Sequence, residues 1–286
     1  MKIQSIITLS ASAAIAFGAI SASFADTAES ARKIMEANQN AVVTIQLVVE
    51  TTSSYQGQSN KQEAKTSGTG TIIDPSGLVV TSVTAINPRD RFADIMGGAD
   101  EDYKMSTRIV DVKIKLADGT EIPANLVMQD RDLDMAFIKP KTPLSTPVSY
   151  IDMTQQATPQ AIDELVLLFR LGQIGNRTLA AGIERISAIV TKPRLFYVIS
   201  GSASLSFGVP AFTLDGKPAG ISVLRTSLSK DKDGDMFSAS DKMLPVVLPC
   251  STIQKAAEQA KTAVPQSVQE IAPEPKAAKP ASPKTK

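Results

Sequence analysis

Residues 205–223, LSFGVPAFTLDGKPAGISV, divide into a tight turn, a short apolar strand, an Asp-Gly turn at Asp215-Gly216 and a second strand. An Asp-Gly pair between two apolar runs predicts a hairpin, because glycine supplies the positive φ of a tight reversal and the aspartate bonds its own backbone. The same pattern extends outward in both directions. Upstream, AVVTIQLVV (41–49) reads as a buried strand. TGTIIDPSGLVVTSVTAI (69–86) gives strand, Asp-Pro-Ser-Gly turn, strand. IVDVKIKL (109–116) turns at Asp118-Gly119 and returns over 122–128, and a further apolar strand covers 136–138. After a proline-punctuated connection, KPKTPLSTP (139–147), strands follow over 164–171, 178–190 and 195–199. So many short strands with turn signals at close intervals predict an all-β barrel or sandwich architecture. Helical spacing predicts short helices over 26–38 and 251–262, the second with Ser251 as N-cap. The polar run 51–66 reads as a loop or hairpin tip. Asn87–Arg108, with its acidic cluster Asp100, Glu101 and Asp102, reads as a long surface insertion.

Bulk composition removes several function classes. The formal net charge of the 286 residues is +1, which gives no electrostatic case for nucleic acid as a partner. Aromatic residues make up 5% and tryptophan is absent, so stacking platforms for bases are poorly supplied. One lysine, an apolar run from Ile6 to Ile20 and the small-flanked Ser23-Phe24-Ala25 predict a signal peptide over 1–25. They place the mature chain outside the cytoplasm, periplasmic or secreted, with no transmembrane segment after signal removal. The expected units are the signal peptide (1–25), an N-terminal helix and first β-unit (26–140), a second β-unit with C-terminal helix (141–263) and a disordered Pro/Ala/Lys-rich tail (264–286). Cys250 stands alone, has no disulfide partner and reads as a buried apolar residue. The chain contains no histidine, so a Ser-His-Asp or Cys-His site, an HExxH metal site and a histidine switch are impossible. No pattern asks for a cofactor or a metal. The run Asp231-Lys232-Asp233-Gly234-Asp235 has its glycine misplaced for an EF-hand loop and Lys242 where the bidentate glutamate belongs, so it reads as a solvated hairpin tip.

Taken together in order, these motifs resemble the trypsin-like protease domain of the HtrA (DegP-like) family over about 41–262. GTGTIIDPSGLVVTSVTAI is similar to that family's first hairpin and T-N-x-H strand. VKIKLADGTEIPANLVMQDRDLDMAFIK is similar to its next hairpin and D-I-A-L-L-K strand, SFGVPAFTLDGKPAGISV to its N-S-G-G-P loop and hairpin, and VVLPCSTIQKAAEQ to its closing helix. No PDZ pattern follows. The resemblance implies two six-stranded β-barrels of the chymotrypsin/trypsin-like fold with a site in the cleft between them. It also implies a possible homo-oligomer.

Residue by residue, the family's triad aspartate falls on Asp134, its histidine on Thr84 and its nucleophilic serine on Phe207. Phenylalanine offers no nucleophile and threonine no base, so hydrolysis by that route is lost. Leu205 and Val209 stand where the family uses glycines, which removes the freedom that aims an oxyanion hole. Asp134 reads as a buried carboxylate bonded to backbone N–H groups or to the Thr84 hydroxyl, and Phe207 as an aromatic filling the cleft as packed core, with a ligand-facing aromatic anchor as the alternative. The chain is thus expected to be a non-catalytic pseudoprotease that binds polypeptide or a partner protein. The alternative is a divergent serine endopeptidase in which Ser206 serves as nucleophile without a histidine base. Lys65, Lys192 and Lys217 have no motif that would place them beside it. A mainly structural envelope role, with the basic tail near anionic polymer, is a third.

Overall fold

The computed structural model describes residues 26–55, 58–88, 103–200, 206–226 and 243–264. The signal-peptide segment, Leu205, the acidic cluster 100–102, the run 231–235 and the tail beyond Val264 lie outside these described residues.

Helix α1 spans 26–38. Strands β1 (Val42–Tyr55), β2 (Gln58–Ile72), β3 (Val79–Ser82), β4 (Tyr103–Lys115), β5 (Glu121–Asp130) and β6 (Met135–Pro140) close a first barrel in the order β1-β2-β3-β6-β5-β4. A one-turn helix, α2 (Val83–Ile86), follows β3. Strands β7 (Glu164–Arg170), β8 (Leu179–Val190), β9 (Phe196–Ser200), β10 (Pro210–Thr213), β11 (Pro218–Thr226) and β12 (Met243–Pro249) close a second barrel in the order β10-β11-β12-β9-β8-β7, and helix α3 (Cys250–Thr262) ends the described chain. Every strand pairing is antiparallel. Two closed six-stranded antiparallel barrels with few helices fit a chymotrypsin-like fold; the strand grammar predicted an all-β barrel or sandwich, and the resemblance implied the two barrels.

Successive side chains of a strand face opposite sides, so a strand buried on both reads as continuously apolar rather than alternating. That is the case for the first half of β1, Val42–Val49, and for β7, which lie where the barrels meet. Val43, Ile45 and Leu47 point into the first barrel, and Leu165 and Leu167 into the second. Val42, Val166 and Leu168 face a third apolar cluster shared by both barrels and both end helices, with Ile34 from α1, Phe137, Phe212, Val246 and Ile253 from α3. Burying an aliphatic side chain of this kind is worth about 1.5–3 kcal/mol, so this shared cluster holds the two barrels to one another.

Two sequence expectations change and one alternative is decided. The run 51–66 is a hairpin tip, not a loop. β1 and β2 continue as a hairpin to the pair Tyr55↔Gln58, and β4 pairs on the other side of β1 out to Tyr103, making a three-stranded ribbon. It is polar because the β2 side chains from Gln58 to Lys65 are exposed, not because it lacks strand structure. By the same pairing, residues 103–108 of the expected insertion are strand, with Arg108 opposite Glu50 and bonded to it at 3.2 Å. Helix α3 starts one residue earlier than expected, with Pro249 in the N-cap position and no side-chain cap, so Ser251 is inside the helix. Cys250, in its first turn, is fully buried and donates its S–H to the Pro218 carbonyl at 3.3 Å.

Candidate functional site

Thr84, Asp134, Ser206 and Phe207, far apart in sequence, meet where the two barrels face each other. Asp134 sits at the end of the turn between β5 and β6 in the left-handed region, φ 55°, a conformation that aspartate tolerates better than most residues. It is fully buried. Its carboxylate accepts four hydrogen bonds. Oδ1 takes the Thr84 backbone N–H and the Thr84 hydroxyl, both at 2.8 Å, and Oδ2 takes the Ser82 hydroxyl at 2.6 Å and the Leu224 N–H at 2.9 Å. Ser82 and Thr84 belong to the first barrel and Leu224 to the second, so this one carboxylate ties the barrels together. Burial pushes the Asp134 carboxyl above the ordinary carboxylate range, against the four hydrogen bonds that pull it down.

Ser82 is a site residue that the sequence reading missed. It is the N-cap of α2, where its Oγ accepts the Ala85 N–H at 3.1 Å while donating to Asp134. The signal was present, since a serine ahead of the short run Val83–Ile86 is an N-cap pattern. The cap turns the chain so that the Thr84 N–H and hydroxyl both aim at Asp134.

From the second barrel, the loop before β10 reaches across to β2 and β3. Gly208 takes φ 76°, and a Cβ there would lie 2.6 Å from Thr81 Oγ1 and 2.7 Å from the Ser82 backbone nitrogen, so only glycine fits this contact. Its N–H donates to the Ser222 carbonyl at 2.7 Å, and its carbonyl accepts the Thr71 hydroxyl at 3.3 Å. Val209 is fully buried in the second barrel's core.

Above this contact lies an open cleft of about 380 Å³. Ser206 and Phe207 line it opposite Thr84 and Ala85, with Ser67 and Phe169 nearby. Phe207 is half-buried and belongs to none of the three apolar clusters. The expectation of a packed-core aromatic is therefore corrected. Val209, one turn deeper, fills the barrel and leaves Phe207 on the cleft wall. No lysine lines the cleft, and Lys217 borders a separate depression near Asp163.

Two arginines, also missed in the sequence, complete the wall. Arg170, half-buried at the end of β7, donates Nε to the Val42 carbonyl at 2.9 Å, Nη2 to the Gln39 carbonyl at 2.6 Å and Nη1 to the Arg177 carbonyl at 3.5 Å. Burial lowers its pKa from the ordinary guanidinium value. Arg177 follows Asn176 in the left-handed region, with φ 54° and 50° respectively. Among the described residues no three His, Cys, Asp or Glu side chains cluster as metal ligands, and no helix is long and apolar enough to cross a membrane.

Chemically, the carboxylate is bonded to the Thr84 hydroxyl and the chain has no histidine to stand between it and a nucleophile. A triad needs a base between carboxylate and nucleophile. Here the Thr84 hydroxyl takes up the carboxylate, and the residue facing it across the cleft is an aromatic ring. Comparison with models of known protein families and with curated proteins returns no match for this chain.

Proposed function

We propose that this chain is an exported, HtrA-like pseudoprotease that holds polypeptide in the cleft between its barrels without cutting it. The observation that carries this reading is the Thr84 hydroxyl on Asp134 Oδ1 at 2.8 Å beside a cleft that stays open at Phe207. The carboxylate is satisfied internally, no histidine exists to relay a proton, and the groove remains accessible. Recognition of an extended peptide through main-chain pairing and side-chain pockets needs neither nucleophile nor base, so binding outlives hydrolysis. Phe207 and Phe169 offer the apolar surface that such a segment would cover.

Two measurements test this. A fluorophosphonate probe leaves the native chain unlabelled; labelling that disappears in Ser206→Ala would establish the divergent peptidase instead. In fluorescence anisotropy, unstructured peptides bind saturably and remain intact by mass spectrometry, and Phe207→Ala weakens them. Failure of every peptide in a diverse unstructured set to bind would refute the holding function.

A further inference from the structure

Among the described residues the charge on the cleft is one-sided. They line it with two arginines, Arg170 and Arg177, with hydroxyls and two aromatic rings, and with no carboxylate. The acidic group below it, Asp134, lies behind Thr84 with both oxygens occupied. Elsewhere on the surface arginines find carboxylates: Arg108 pairs with Glu50, Arg185 with Glu164, and both Arg194 and Arg225 with Asp132. Arg170 and Arg177 make no such ion pair among the described residues.

Given the polypeptide-holding reading, on which this rests, we propose that the cleft selects segments carrying an acidic side chain, whose carboxylate is received by Arg177 with Arg170 behind it. Arg170 has its guanidinium oriented by three carbonyls, which fix its direction but supply no counter-charge. A half-buried cation without a counter-charge is unfavourable in the free protein, and an incoming carboxylate relieves that cost. The orientation is already fixed, so little side-chain entropy is lost on binding. Arg177 is carried on two consecutive non-glycine residues in the left-handed region, a strained backbone of the kind found at ligand sites. As a cross-barrel clamp alone, Arg170 would need only hydrogen-bond donors. A clamp explains its three bonds but not the second arginine on the same wall or the lack of a carboxylate among the described lining residues.

The experiment uses the mature chain and pairs of unstructured peptides that differ by one Glu→Gln change, each with free and amidated C-terminus. Charge-assisted hydrogen bonds contribute enough for the Glu peptide to bind about 10–100-fold more tightly than its Gln partner. That preference falls as salt is raised, shrinks to about threefold or less in Arg177→Gln, and shifts toward Lys-bearing peptides in Arg177→Glu. The salt series on the unaltered protein needs no variant to fold. Binding of Glu and Gln peptides with equal affinity at low salt overturns the acidic selectivity while leaving polypeptide holding intact. A preference that follows the free C-terminus and not the side chain overturns it in favour of terminal carboxylate capture. Failure of all peptides removes the underlying reading as well.

Discussion

Replacing Asp134 by asparagine tests whether the retained carboxylate is a cross-barrel tie. The amide nitrogen must take one of the two oxygen positions. At Oδ1 it would face the Thr84 N–H and hydroxyl, and at Oδ2 the Leu224 N–H and the Ser82 hydroxyl. Either hydroxyl can turn and accept, but a backbone N–H cannot, so one buried donor is orphaned in both orientations. That costs about 1–3 kcal/mol, and Asp134→Ala, which orphans both N–H groups, roughly 2–6 kcal/mol. At about 2–4 °C per kcal/mol for a chain of this size, Asp134→Asn lowers Tm by roughly 2–12 °C. The pH dependence is sharper still. Burial raises the Asp134 carboxyl above the ordinary aspartate value of 3.8. The group's stabilising contribution is therefore fully present below that value and is lost as pH rises through the raised folded value. A protonated carboxyl can donate to a hydroxyl and still accept an N–H, whereas the asparagine NH2 accepts nothing and does not titrate. In urea titrations from pH 3 to 7, the stability gap between native chain and Asp134→Asn narrows as pH rises. A gap that widens with pH would show that the four hydrogen bonds outweigh burial. Equal stability of the two proteins at every pH would refute the cross-barrel tie altogether.

The Cys250 thiol is fully buried and burial pushes its pKa up to about 12, so it resists a disulfide reagent at pH 8 in the native state and reacts once per chain in denaturant; rapid native reaction would mean that α3 lifts off the barrels. Gly208→Ala carries roughly 1–2 kcal/mol of backbone strain alone, to which the contact with Thr81 and Ser82 adds. Its thermal midpoint falls and peptide binding weakens with it, and an unchanged midpoint would show that the loop is not wedged against β3. Thr84→His with Phe207→Ser restores a base and a nucleophile at the positions that the family resemblance assigns. The double variant is expected to take the fluorophosphonate label while each single variant does not, and labelling of Phe207→Ser alone would show that another base serves the cleft.

How much of this was legible in the sequence depends on whether a residue's role is set by its neighbours along the chain or across space. The strands were readable because apolar runs and Asp-Gly turns are local, and because β7 and the first half of β1, Val42–Val49, are largely apolar. The run 51–66 was left between loop and hairpin tip because an exposed ribbon has no apolar face to announce it, and its third strand, β4, pairs from about fifty residues away. Arg170 was missed for the same reason. Its partners Val42 and Gln39 are distant in the chain, and no local pattern separates it from a surface arginine. Phe207 was placed at the right loop but given the wrong surroundings, since its position follows from Gly208 wedging against Thr81 and Val209 taking the core. Asp134 was legible in both position and bonding, and its persistence has a physical reason independent of catalysis. On the proposed reading, a hydrolytic site loses its function when base and nucleophile are replaced, as at Thr84 and Phe207. The carboxylate is different, because it satisfies two backbone N–H groups contributed by different barrels. Its loss would be felt as instability whether or not any peptide is cut.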